Sequence, residues 1–220
     1  MVIIFRKIFL TVSLLSIIVY TSNAQGRITD ANGRPIMSTK NLEIEGSPFL
    51  FDDWKQGSVK LNNGTEYDST ELKLDVLENH LLFKGSNNEP LMFSEPVKEF
   101  KLFFNNNRTQ YKLYRNGYDN TMNFYEVLVD GKSQLLKHYK KSLGAKASYA
   151  SSTTVRMILD AVNYYLYKSN ALIAVKKDKK SILNALVDKQ TELESYIKIN
   201  NIKFKDDNDL IKLIIYYNSI

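Results

Sequence analysis

The stretch SPFLFDDWKQGSVKLNNGTEYD, residues 47–68, holds the chain's one tryptophan, Trp54. Asp52 and Asp53 precede it directly, and Glu66 and Asp68 follow across a turn. An aromatic ring beside carboxylates suits a sugar, and clustered carboxylates suit calcium. Spacing weighs against both. In an extended FLFDDW the side chains alternate, so Leu50, Asp52 and Trp54 share one face while Phe49, Phe51 and Asp53 share the other. The two aspartates cannot then grip one ligand, and the calcium-loop spacing D-x-[DN]-x-[DN]-G is absent. The reading is a strand whose Trp54 covers one end of a sheet, with Asp52 and Trp54 as the candidate ligand contacts.

Other chemistry is sparsely provided. The two histidines, His80 and His138, lie in no metal-ligand spacing, and the chain has no cysteine for thiol chemistry. No G-x-S-x-G elbow, S-x-x-K box, P-loop or dinucleotide fingerprint occurs. No catalytic, metal or cofactor-binding residue is assigned, and no cofactor is expected. A carboxylate pair for glycoside hydrolysis stays open, because any two of the 24 acidic residues could converge in space.

Charge is unevenly placed. Residues 41–100 carry twelve acids and five bases; residues 132–180 carry eleven bases against Asp160 and Asp178. The densest basic point is KKDKK, where Lys176, Lys177, Lys179 and Lys180 surround one aspartate. These four are the candidate contacts to an anionic surface. Anionic lipid, lipopolysaccharide or an acidic envelope protein would be the partner; an ordinary solvated face is the plain alternative. No nucleic-acid recognition module is visible.

These residues must be positioned by the elements around them. Arg6 and Lys7, the apolar run IFLTVSLLSIIVY, and small residues at Ser22 and Ala24 read as a signal peptide, residues 1–24, cleaved to leave Gln25 first. An exported chain without cysteine must hold together by burial alone. No transmembrane segment is expected after the signal is removed. Residues 25–177 read as a strand-rich body. Leu72, Leu74 and Val76 alternate with polar residues, and Asn63-Gly64, Asp130-Gly131 and Ser169-Asn170 mark hairpins. Residues 141–155, small and polar, read as an exposed loop or a poorly anchored edge. Residues 178–220 take a helical period, with Asp178 as a cap, a break near Asp188, a stop at Asn200-Asn201, and a last face of Leu210, Leu213, Ile214 and Tyr217. The fold class expected is α+β: an antiparallel, meander-rich sheet with two or three C-terminal helices packed on it.

The blocks GSPFLFDDWKQGSVKLNNGTEYD, FYEVLVDGKSQLLKHYKK, YYLYK and LNALVDKQTELESYIKINNIKFKDDNDLIKLIIYYNSI resemble a group of exported proteins of Bacteroidota-type bacteria with no established activity. The resemblance runs from about residue 42 to the end. It implies export, a strand-rich body and a helical C-terminal end, and brings no catalytic residues. The function expected is that of an exported, non-catalytic cell-envelope protein acting by binding or assembly, in the periplasm or outside the cell. The alternative is a secreted hydrolase or carbohydrate-binding protein with its site near Trp54.

Overall fold

The fold is α+β: a twelve-stranded sheet, antiparallel apart from one short pair, with three C-terminal helices packed against it. The computed structural model describes residues 34–35, 44–147 and 154–220. The expected signal segment and its cleavage site lie outside the described residues. The strands are β1 (Arg34–Pro35), β2 (Ile44–Glu45), β3 (Lys55–Leu61), β4 (Glu66–Asp75), β5 (His80–Lys84), β6 (Pro90–Met92), β7 (Val97–Phe103), β8 (Tyr111–Arg115), β9 (Tyr125–Val129), β10 (Ser133–Ala147), β11 (Thr154–Lys168) and β12 (Ala171–Val175). Their order is β1-β6-β5-β4-β3-β7-β8-β9-β10-β11-β12, and β2 pairs in parallel with β11.

Two meanders therefore run outward in opposite directions from the β3–β7 pair. The connection between them fixes the curvature. β6 and β7 are separated by three strands, which in a flat sheet puts them about 19 Å apart, yet only residues 93–96 join them. Such a link reaches about 17 Å fully extended, and it contains bends and Pro96. The sheet must curl, and its concave side closes over Leu72, Leu74, Phe83, Phe100, Leu102 and Tyr114. Gly57 sits where β3 is squeezed between β4 and β7. A β-carbon there would strike the Lys101 carbonyl and the Leu72 side chain.

The hairpins fall where the turn residues mark them, but with different turn chemistry. Of the Asn63-Gly64 pair, only Gly64 takes a positive φ, +88°, so the connection is a longer loop, with Leu61 donating to the Thr65 carbonyl at 2.9 Å. The two-residue turn with both φ positive is Ser169-Asn170, at +50° and +60°. Gly131 is required by packing: a β-carbon would meet the Asn218 amide at 2.7 Å.

The helices are α1 (Lys179–Ala185), α2 (Gln190–Ile199) and α3 (Asp207–Ser219), with a 3₁₀ turn at Val187–Lys189 between the first two. Asp178 caps α1 by accepting from the Ser181 N–H at 2.7 Å. Asn201, at φ +50°, ends α2. The apolar face of α3 lands as its spacing dictates: Leu210, Leu213 and Ile214 are fully buried, and Tyr217 nearly so, over Val129, Leu135 and Leu166 of the sheet. Each such side chain contributes about 1.5–3 kcal/mol by leaving water. Polar contacts pin both ends of α3. Asp207 accepts from Lys137 at 2.7 Å and from the Tyr164 hydroxyl at 2.6 Å. Asn218 accepts from the Ser133 N–H at 2.9 Å and donates to its carbonyl at 2.8 Å.

One expectation is corrected. Of the two readings of residues 141–147, the exposed loop is overturned and the poorly anchored edge is kept: β10 continues through Ala147, and β11 takes up again at Thr154 as its antiparallel partner. Residues 148–153 lie outside the described residues.

Candidate functional site

The Trp54 region differs from its sequence reading. FLFDDW is no strand. Residues 50–53 bend, Phe49 forms a single bridge to Asp75, and β3 begins only at Lys55. The cause is Lys73 on β4. Its ammonium group sits 4.7 Å from the Phe49 ring centroid and 5.1 Å from that of Trp54, and it donates to the Asp52 carbonyl. Two cation–π contacts and a carbonyl fold the segment over the lysine instead of letting it extend. Asp52 and Asp53 are both exposed. Asp52 serves through its backbone, and its carboxylate does not line the cavity that Trp54 lines.

That cavity, about 510 Å³, is bounded by Trp54, Gln56, Ser69, Phe104, Asn106 and Arg108. It adjoins a second of about 560 Å³ over Lys60, Glu66, Asp68, Lys101 and Tyr111. Phe103 and Arg108 belong to both. Arg108 is the hinge of the arrangement. It binds the Asp68 carboxylate at 2.6 Å, donates to the Ser69 hydroxyl and lies 5.3 Å from the Phe103 ring centroid. Arg108 and Ser69 both hold left-handed backbones, at φ +60° and +56°, a conformation that costs a non-glycine residue about 1–2 kcal/mol. Nearby, the hydrogen bond between Lys60 and Glu66 raises the lysine pKa and lowers the carboxyl pKa, so both stay charged. Neither Arg108 nor Tyr111 carried a sequence signal: Arg108 follows three asparagines in a turn, and its partner lies forty positions earlier.

The four lysines of KKDKK separate. Lys177 is partly buried and reaches Asp207 at 3.5 Å and the Lys205 carbonyl at 3.3 Å. Lys176, Lys179 and Lys180 are exposed at the β12–α1 junction, with no carboxylate within ion-pair distance among the described residues. Asp178, the acid among them, is occupied as the cap of α1.

The long hairpin is the third feature. β9 pairs with β10 only as far as Lys137, and β12 with β11 only from Tyr164. Beyond these, ten residue pairs, His138↔Asn163 to Ala147↔Thr154, continue as a two-stranded arm about 30 Å long. β2 touches the β11 side at Arg156 and Met157. No described strand pairs with the outer edge of β10 from His138 onward. Leu143, Leu159 and Val162 stand about half exposed on this arm.

The histidines stay apart. His80 lies beside Met92, Phe93 and Met122 at the mouth of the curled sheet. His138 packs 5.0 Å from Tyr125, where burial lowers its pKa against the opposing charge of Asp119. Among the described residues no three His, Asp or Glu side chains are grouped to hold a metal ion, and no helix is long and apolar enough to cross a membrane. No family model, curated protein or solved structure matches the chain.

Proposed function

We propose that this is an exported, non-catalytic cell-envelope protein of Bacteroidota-type bacteria, which works by docking an extended, acidic segment of another envelope protein onto the free edge of β10. The observation that carries the reading is the arm. A two-stranded hairpin is marginally stable in water, and the outer edge of β10 presents N–H and C=O groups that no described strand pairs, a template for strand addition. The composition of the edge selects the partner. HYKKSLGAKA, residues 138–147, carries three lysines and no acid. Lys141 is taken up by Asp160 across the hairpin at 2.7 Å, and the exposed Lys140 opposes pairing with a second copy through like charge and favours a strand that brings glutamate or aspartate. Export rests on the n-region, apolar run and small-residue site of residues 1–24.

A peptide of about eight residues alternating glutamate and valine is the direct probe. Calorimetry should show salt-sensitive binding that Lys140→Glu abolishes. Equal binding of the lysine–valine counterpart, or none of either peptide, would remove the proposal.

A second reading rests on Lys176, Lys179 and Lys180. Three exposed ammonium groups with no carboxylate partner among the described residues support weak association with anionic lipid or lipopolysaccharide, at about 1 kcal/mol for each lysine near the surface. Co-sedimentation with phosphatidylglycerol vesicles at low salt should fail when all three are changed to glutamine. Binding unchanged in that variant would leave the junction as solvated surface.

A further inference from the structure

We propose that the two adjoining cavities over β3, β4 and β7 form one groove that binds a neutral oligosaccharide. Their volumes, about 560 and 510 Å³, are each of ligand size, both are open to solvent, and they meet at Phe103 and Arg108. A ligand occupying both would run from Tyr111 to Trp54, which suits a chain of rings better than a single small molecule.

The lining supplies what a sugar needs. The C–H face of a pyranose is apolar and electropositive, and it packs on the negative face of an aromatic ring. Tyr111, at 50% exposure, and Phe104, at 42%, present such surface, together with the Trp54 ring. Sugar hydroxyls both donate and accept, so recognition calls for donors and acceptors in alternation. The Arg108–Asp68 and Lys60–Glu66 pairs offer both, flanked by the exposed Gln56 and Asn106 amides.

Charge decides between a neutral and an anionic ligand. Lys60 lies 2.6 Å from Glu66, Arg108 2.6 Å from Asp68, and Arg115 2.9 Å from Glu99. Of the cations lining the groove, Lys60 and Arg108 are matched, while Lys101, 4.9 Å from the Tyr111 ring centroid, and Lys55, 5.7 Å from that of Phe51, lie over aromatic rings at the two ends. Between those ends, a phosphate or carboxylate at Lys60 or Arg108 would have to displace Glu66 or Asp68; a hydroxyl would not. Arg108 is also held ready. Asp68, Ser69 and Phe103 fix its plane, so little side-chain entropy is lost when a ligand arrives.

Trp54, the chain's one tryptophan, reports on the groove directly. Purified mature protein is titrated with neutral hexasaccharides of glucose, mannose and xylose, and with a uronate hexasaccharide as the charged control. One neutral member should shift Trp54 emission saturably, with half-saturation between about 10 μM and 1 mM and little dependence on salt. Tyr111→Ala, at a half-exposed position, should keep the far-ultraviolet circular dichroism of the parent and weaken binding about tenfold. Lys212→Glu, at an exposed position of α3, should leave saccharide binding unchanged. The inference is overturned if no neutral member changes emission or groove amide shifts at about 10 mM. It is overturned equally if only the uronate binds, or if Tyr111→Ala binds as the parent does.

Discussion

Asp207 joins the last helix to the sheet, and removing it should loosen that helix measurably. The carboxylate lies in the first turn of α3, 2.7 Å from Lys137 of β10 and 2.6 Å from the Tyr164 hydroxyl of β11, with Lys177 at 3.5 Å. Its side chain is 26% exposed and that of Lys137 is 16% exposed, so water repairs the loss only in part. Hydrogen bonds to a charged group contribute about 1.5–3 kcal/mol each, and an acid in the first turn of a helix adds about 0.3–1 kcal/mol. Allowing for partial rehydration, Asp207→Ala should cost about 2–4 kcal/mol. In a protein of this size that lowers the Tm by about 5–12 °C. Asp207→Asn retains acceptors, loses the charge and should cost about half as much. The effect should also depend on pH. Burial pushes the Asp207 carboxyl pKa up, but the hydrogen bonds from Lys137 and Tyr164 outweigh it and hold the pKa below the ordinary value. A carboxyl with a lowered folded pKa stabilises fully above its unfolded value and loses that contribution as pH falls through the folded one. Urea denaturation followed by circular dichroism should therefore show the gap between parent and Asp207→Asn closing in acid. A stability change under about 0.5 kcal/mol, or a gap that persists unchanged into acid, would refute the reasoning.

The Tyr114 hydroxyl is buried with no hydrogen-bond partner among the described residues, while its ring stacks 4.8 Å from Phe100. Tyr114→Phe should therefore raise stability by about 1 kcal/mol in a urea melt. Asn218→Ala removes both hydrogen bonds to the buried Ser133 backbone and should cost about 1–3 kcal/mol; Gly131→Ala, which crowds the same amide, should destabilise in the same assay. Intact mass of protein recovered from the envelope fraction should begin at Gln25, and recovery of the full-length chain would overturn the assigned signal peptide.

Legibility in the sequence followed burial. Leu72 and Leu74 alternate with polar residues because one face of β4 meets the core, and the α3 face recurs every three or four residues because it lies on the sheet. Those elements, the Asp178 cap and the break near Asp188 could be read directly. The arm could not. None of residues 141–145 is fully buried, so no apolar alternation marks a face, and small polar residues look as much like a loop as like a strand. FLFDDW misled for the opposite reason: its aromatics suit a strand, but they fold over Lys73, a contact between residues about twenty positions apart. The groove was half visible. Trp54 marked its place, while the planar pair opposite is Arg108 with Asp68, and no local pattern connects them.

Amide hydrogen exchange along β10 tests the docking claim most directly. In the free protein, amides of residues 138–147 should exchange faster than those of 133–137, which β9 covers in part. With the glutamate–valine peptide bound, alternate amides between His138 and Ala147 should slow, because every second N–H of an edge strand points outward. Lys140→Glu should abolish that protection. Protection confined to the lysine junction or the Trp54 groove, or none anywhere on β10, would contradict the claim that this edge is where the protein binds.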